Sequence, residues 1–73
     1  MDIREIFGAN VRRYRQAAGL SQEAVAELMG VDRAYVSGIE RGRQNVTLEM
    51  MCRVAEALET TVQELMFGTT ASK

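Results

Sequence analysis

The chain has 73 residues, a formal net charge of −1 at pH 7, one cysteine and no histidine. This length fits one small domain, the lone Cys52 excludes an intrachain disulfide, and the absence of histidine removes the common zinc-binding patterns. The hydrophobic fraction of 47% is too high for a disordered chain. Because a core of this size is marginal on its own, association with a second copy is the remaining way to bury more apolar surface.

Basic and acidic residues are unevenly distributed. From Arg12 to Arg43 there are six arginines and four acids, whereas Gln44 to Ser72 contains one arginine, Arg53, and four glutamates. Eight of the nine basic residues are arginine, which suits forked contacts with phosphates and guanines. The basic half is therefore either a solvated face or a surface for nucleic acid.

The amino-terminal sequence MDIREIFGAN has no long apolar run. It predicts neither a signal peptide nor a membrane span. With a single cysteine in the chain, this pattern predicts a protein of the reducing cytoplasm without a membrane partner.

Helix one is predicted to begin at Asp2, which has capping-box spacing with Glu5, and to end at Gly19. Its apolar residues recur at steps of three and four and predict one buried stripe. They are Ile3, Ile6, Phe7, Val11 and Tyr14.

Helices two and three are predicted to form a helix-turn-helix. Ser21 caps helix two, Gly30 ends it, and Asp32 caps helix three, which runs from about Arg33 to Arg41. Two short helices joined by a three-residue turn that contains glycine are typical of this motif. Seven positions have the required residue types, namely Val25, Ala26, Met29, Gly30, Val31, Val36 and Ile39. Leu28 is also expected to face inward.

Thr47 is predicted to cap helix four, and Thr61 a last short helix. The expected inner residues of these two helices are Leu48, Met51, Val54, Ala55, Leu58, Val62, Leu65 and Met66. Cys52 is interpreted as a buried or half-buried core residue. The fold class is thus all-α with five helices, comprising a domain over residues 1–67 and a flexible tail over 68–73.

The outer face of helix three is the candidate DNA-reading surface. Arg33 at its first turn is placed for a forked contact with a guanine, and Ala34 for contact with a thymine methyl group. Ser37 and Gly38 are small, which would let the helix backbone approach a major groove closely. Arg41 points outward on the same face.

Residues around this helix are predicted to contact DNA phosphates. Tyr35 lies at the flank, where either its hydroxyl reaches a phosphate or its ring packs. Gln22 offers an amide at the amino terminus of helix two. The other candidates are Arg41, Arg43, Gln44 and Asn45. Arg15 and Glu40 are instead expected to form a structural ion pair between helices one and three.

The stretch GLSQEAVAELMGVDRAYVSGIERG, Gly19 to Gly42, resembles the Cro/cI-type (Xre-like) helix-turn-helix family of phage repressors and bacterial regulators. The resemblance covers the chain from about Ile6 to Met66. Within that family, DRAYVSGIERGRQNVTLEMMCRVAEAL is most similar to the controller proteins of restriction–modification systems.

The resemblance implies a five-helix, lambda-repressor-like domain that binds paired operator half-sites as a homodimer. It also implies base readout by Arg33, Ala34 and Ser37, and it supports the pair between Arg15 and Glu40. The phosphate contacts that it implies involve Tyr35, Arg41, Arg43 and Gln44. Two departures from relatives stand out. Glu59 stands where many relatives end helix four with glycine, and we expect a strained or wider turn there. Some controllers also carry a basic residue near the position of Gln44, so we expect a lower affinity for phosphates here.

The candidate dimer surface is the apolar cluster at the carboxyl end, comprising Val62, Leu65, Met66 and Phe67. In the alternative interpretation, Leu65 and Phe67 simply close the core. We expect repression at high operator occupancy, and activation through RNA polymerase if one dimer sits beside a promoter.

Three other functions compete with the controller assignment. A general phage-type or Xre repressor has the same DNA-binding features. An antitoxin-like interaction module would need an apolar or disordered extension, which the short polar GTTASK does not supply. An enzyme would need a catalytic set, and the sequence has no histidine and no evident pair of acids. No cofactor, metal or small-molecule ligand is predicted.

Overall fold

The computed structural model describes residues 2–67, and within them all regular secondary structure is helical. The five helices are α1 (Ile3–Ala17), α2 (Gln22–Met29), α3 (Arg33–Glu40), α4 (Leu48–Ala57) and α5 (Val62–Phe67). The all-α prediction and the order of the helices are confirmed. The predicted flexible tail, residues 68–73, lies outside the described residues. No helix in the described part has the length and apolar character needed to cross a bilayer.

Short polar side chains start most of the helices. They accept a hydrogen bond from a backbone N–H of the first turn, which satisfies a donor that has no partner within the helix. The residues that do so are Asp2, Ser21, Thr47 and Thr61. Asp32 stands at the predicted cap position of α3 with extended backbone angles, but its side chain makes no capping hydrogen bond. The predicted position was therefore right and the predicted interaction wrong.

Helix α3 packs against both α1 and α2, while α5 closes the other side of the molecule against α1 and α4. Each helix contributes to one core. Its buried apolar members are Phe7, Val11, Val25, Ala26, Met29, Val36, Ile39, Val54, Ala55, Leu58 and Leu65. All side-chain nitrogen and oxygen atoms buried within residues 2–67 have a hydrogen-bond partner.

Four residues that were predicted to face the core are exposed. Ile3 and Leu48, each the first residue of its helix, are 50% and 70% exposed. Leu28 is 63% exposed at the edge of the α2 stripe, where Val25 and Met29 occupy its centre. Cys52, on the outer side of α4, is exposed as well. The spacing of apolar residues along each helix therefore predicted the buried face, but not which residues lie at its exposed edges.

Two residues that the sequence analysis did not identify hold α1 in place. A Cβ atom at Gly8 would overlap the carbonyl oxygen of Ile39, so the α1–α3 contact requires glycine there. Asn10 is fully buried, and its Nδ2 donates to the carbonyl oxygen of Leu65 over 2.6 Å. That carbonyl belongs to the last turn of α5, where carbonyl groups have no partner within the helix. Asn10 therefore fastens α5 to α1.

Candidate nucleic-acid interface

The turn between α2 and α3 has the geometry that the sequence predicts. Gly30 adopts the left-handed conformation, with φ +74°, and ends α2. The N–H of Val31 donates to the carbonyl of Ala26 over 3.0 Å. Ala26 is 3% exposed, so only a small side chain fits between the two helices. The predicted helix-turn-helix is confirmed.

Two apolar residues set the orientation of α3. Val36 and Ile39 are 0% and 2% exposed and seat the helix on the core. The opposite face carries the predicted reading residues, of which Arg33 and Ala34 are exposed and Ser37 is half-buried. This helix therefore presents its amino-terminal side chains to the surroundings.

The predicted ion pair between Arg15 and Glu40 is present. Arg15 Nε lies 2.6 Å from Glu40 Oε2, and Nη2 donates to Oε1 over 3.1 Å. The side chains are only 13% and 4% exposed, and Arg15 Nη1 also donates to the carbonyl of Leu20. The hydrogen bond to Glu40 raises the pKa of Arg15. The charged guanidinium links α1 to the end of α3.

The hydrogen bonds continue from Glu40 to Arg33. Nε2 of Gln22 donates to Oε1 of Glu40 over 3.0 Å. Oε1 of Gln22 accepts from Nη1 of Arg33 over 3.1 Å. The position of Gln22 at the start of α2 predicts a phosphate contact for its amide. The structure adds a contact within the protein, because the amide oxygen accepts from the guanidinium of Arg33 on the neighbouring helix. No sequence signal pointed to this link, which depends on the approach of α2 to α3.

Residues of three helices line one polar depression beside this network. They are Arg12, Arg15, Gln22, Arg33, Ser37, Glu40 and Arg41. The structure therefore brings Arg33, Ser37 and Arg41 together, as the helical spacing predicts. It also adds Arg12 of α1, which the sequence analysis left out of the candidate site. The sequence signal that could have identified Arg12 is its position in the arginine-rich first half of the chain.

The loop between α3 and α4 folds back onto both α3 and α1. The N–H of Arg43 donates to the carbonyl of Gly38 over 2.9 Å, and the side chain of Gln44 packs against Gly38. A close approach of DNA was the predicted reason for the small residue at position 38. In this structure, a side chain of the protein itself occupies the space. Arg41 and Arg43 are exposed on either side of Gly42.

Two predicted phosphate-binding residues also make contacts within the protein. Tyr35 is half-buried and packs against the core, as one of the two interpretations of this residue expected. The carbonyl oxygen of the Asn45 side chain accepts from Nη1 of Arg4 over 3.1 Å. Asn45 lines a pocket of about 150 Å³ with Ile3 and Met66, apart from the depression beside Arg33. A phosphate contact by Asn45 would have to use its amide nitrogen.

The four residues of the candidate dimer surface fall into different environments. Leu65 is fully buried and belongs to the core, so its predicted place on that surface is wrong. It packs inward because α5 turns one face to α1 and α4. Val62 and Met66 are half-buried, and Phe67 is 61% exposed. The part accessible to a partner is thus Val62, Met66 and Phe67.

Comparisons with known proteins agree with this geometry. The helix-turn-helix family profile matches residues 11–65. Control protein C.SmaI from Serratia marcescens is 47% identical over 66 residues, covering 90% of this chain and 79% of that protein. Control protein C.BamHI from Bacillus amyloliquefaciens is 37% identical over 70 residues, covering 94% and 86%.

A solved structure shares the fold. The crystal structure of the restriction-modification controller protein C.AhdI from Aeromonas hydrophila has a TM-score of 0.82 to this chain. The two chains are 47% identical, and the match covers 85% of this one and 94% of the other. Both the profile and these relatives extend across the turn and the exposed face of α3. The chain therefore belongs to the Xre-like helix-turn-helix family and is a non-enzymatic DNA-binding regulator of transcription.

Proposed function

We propose that this regulator is a restriction–modification controller protein that binds its own operator as a homodimer. The observation that carries the proposal is the shared depression in which Arg33 and Ser37 of α3, with Arg41 just after the helix, lie beside Arg12 of α1. Such a face combines an exposed helix, which a major groove can admit, with guanidinium groups that can contact bases and phosphates. The similarity to proteins named as control or controller proteins supports the specific assignment.

Base readout is assigned to Arg33, Ala34 and Ser37. Arg33 supplies a forked pair of donors for guanine O6 and N7, and the hydrogen bond that it donates to Gln22 restricts its position before DNA arrives. Restricting a long side chain in advance lowers the entropy lost on binding. Ala34 meets a thymine methyl group, and the hydroxyl of Ser37 contacts a base edge.

Phosphate contacts are assigned to residues around α3. Arg41 and Arg43 supply the charge at its carboxyl end, where both are exposed. The remaining assignments are Gln22, Tyr35, Gln44 and Asn45, each of which contributes a polar hydrogen. Contacts of this kind position the protein on the duplex without reading its sequence.

The test is binding to DNA from upstream of the protein's own gene, measured by gel shift at two salt concentrations. We expect wild type to bind one site tightly and in a salt-dependent way, because neutralised phosphates release counterions. Arg33→Ala should lose about 1–3 kcal/mol of discrimination, roughly fivefold to 150-fold, while its weak non-specific binding persists. Arg53→Ala is the matched control, since Arg53 lies on α4 and pairs with Glu49 at 3.6 Å.

Two results would count against the proposal. If wild type binds this DNA no better than random DNA, the assignment of its own operator fails. If Arg33→Ala and Arg53→Ala weaken binding equally at every sequence, α3 does not read bases.

The homodimer is proposed to form through Val62, Met66 and Phe67. A two-fold dimer would place its recognition helices on half-sites one helical turn apart, about 10 bp. Phe67→Glu should therefore shift sedimentation toward the monomer and weaken binding to the paired site. Leu28→Glu is the control, because Leu28 is similarly exposed, at 63% against 61%, on another face. Unchanged sedimentation of Phe67→Glu would contradict this interface.

The proposed site of action is the cytoplasm, where the operator lies. High occupancy of the operator should repress transcription. A dimer bound beside a promoter would activate instead, through contact with RNA polymerase. Transcription in vitro from the upstream DNA, at increasing protein concentration, distinguishes these effects.

A further inference from the structure

We propose that Gly38 is a positioning residue that makes room for the side chain of Gln44 and thereby places the Gln44 amide on the DNA-facing side of α3. The inference rests on the proposed function, since it concerns how that surface is assembled. It gives a reason for glycine at position 38 other than the direct approach of DNA to the helix.

The space above Gly38 is occupied by Gln44. A Cβ atom at position 38 would lie 2.9 Å from Cγ of Gln44 and 3.0 Å from its Nε2. These separations are well below ordinary carbon–carbon contact, about 3.5–4.0 Å. The side chain of Gln44 thus lies directly on the backbone of α3, and any residue larger than glycine displaces it.

This contact is on the face of α3 that carries the predicted reading residues. Residues separated by three or four positions share one side of a helix. Gly38 therefore lies between Ala34 and Arg41, both of which are exposed. The amide of Gln44 adds a donor and an acceptor to a stretch of α3 where the helix itself has no side chain.

The loop that carries Gln44 is held at two points. One is the hydrogen bond from the N–H of Arg43 to the carbonyl of Gly38, at 2.9 Å. The other is Gly42, with φ +73°, where a Cβ atom would lie 2.9 Å from Cγ of Glu5 on α1. Because the loop is packed against both helices, its geometry brings Gln44 back over Gly38.

Glycine in the interior of an eight-residue helix lowers helix stability relative to alanine. Two explanations could justify it here. In the first, Gly38 seats Gln44. In the second, the DNA backbone itself comes close to Gly38. These explanations predict different results when both residues are changed together.

The test is a double-mutant cycle with Gly38→Ala, Gln44→Ala and the combined variant, measured by affinity for the operator. Each single variant should bind the operator roughly threefold to tenfold more weakly, the range for one lost hydrogen bond. The combined variant should bind no more weakly than Gln44→Ala alone. Gln16→Ala, at an exposed glutamine of α1, is the matched control and should bind as wild type does.

A second readout uses the free protein. Gly38→Ala should raise the thermal unfolding midpoint more in the Gln44→Ala background than in wild type, because no side chain then has to move. Circular dichroism of each variant verifies that it folds.

Several results would overturn the inference. If Gly38→Ala lowers affinity by the same factor in both backgrounds, DNA approaches the glycine directly. If Gln44→Ala binds like wild type, its amide makes no contact. If wild type itself binds no operator, the proposed function fails first, and the thermal cycle alone still reports whether Gly38 seats Gln44.

Discussion

The carboxylate of Glu40 accepts two hydrogen bonds from the guanidinium of Arg15, with separations of 2.6 and 3.1 Å. Through this pair the carboxyl end of α3 is fixed to α1. The same carboxylate also accepts from Gln22, which in turn holds Arg33. One acidic residue thus connects the structural framework of the domain to its candidate base-reading side chain.

Glu40→Gln should destabilise the fold, because it leaves the charge of Arg15 largely buried without its counter-charge. Breaking a buried pair in this way costs about 3–5 kcal/mol, and the 13% exposure of Arg15 places this case near the lower end. The free energy of unfolding in urea is the measurement. Glu49→Gln, which breaks the exposed pair with Arg53, is the control and should have little measurable effect. Equal small effects of both changes would contradict the role of Glu40.

Asn10→Ala should lower the free energy of unfolding by about 1–3 kcal/mol, because the buried carbonyl of Leu65 loses its donor. Asn10→Asp keeps the shape and can still accept from Arg13, but its carboxylate cannot donate to that carbonyl. It should therefore also destabilise the protein. Gln16→Ala, at an exposed position of the same helix, is the control. A stable Asn10→Asp variant would show that the amide donor is unimportant.

The helices and the helix-turn-helix could be predicted because their signals are local. Gly19, Gly30 and Gly42 all take positive φ at helix ends, and short polar residues start most helices. Periodic apolar residues likewise marked Val36 and Ile39, which fixed the outward face of α3. Such signals depend on near neighbours in the chain, so one sequence is sufficient to read them.

The remaining features depend on contacts between distant parts of the chain. Gln44 packs against Gly38, and Arg33 donates a hydrogen bond to Gln22. Both contacts depend on how the helices and the α3–α4 loop pack together. Buried Asn10 has no periodic signature, because polar residues are buried only where a specific partner exists. Sequence spacing therefore located the candidate reading helix, but not the contacts that support its side chains.

Ionisation of Tyr14 should make the protein less stable at alkaline pH. Its hydroxyl donates to Glu64 over 2.7 Å, and this hydrogen bond raises the pKa of Tyr14 above its ordinary value of 10.0. Folding therefore favours the neutral phenol. The stabilisation is fully present below pH 10 and is lost as the pH rises through the raised pKa.

Thermal unfolding of wild type and Tyr14→Phe provides the measurement. Wild type should have the higher midpoint near neutral pH, and the difference should shrink above the ordinary tyrosine pKa. If the difference in midpoint between wild type and Tyr14→Phe stays constant from neutral to alkaline pH, ionisation of the Tyr14 hydroxyl does not affect the stability of the protein.

Glu59→Gly should stabilise the protein. Glu59 has φ +56° at the end of α4, a left-handed conformation that costs a residue with a side chain about 1–2 kcal/mol. The N–H of Thr60 donates to the carbonyl of Ala55 over 2.9 Å, which is the arrangement that glycine usually completes after a helix. Since glycine also makes the unfolded chain more flexible, we expect a net gain of about 1 kcal/mol in urea unfolding. Glu56→Gly, within α4, is the matched control and should instead lose about 1 kcal/mol. If both glycine variants are destabilised alike, the left-handed turn at Glu59 imposes no strain on the fold.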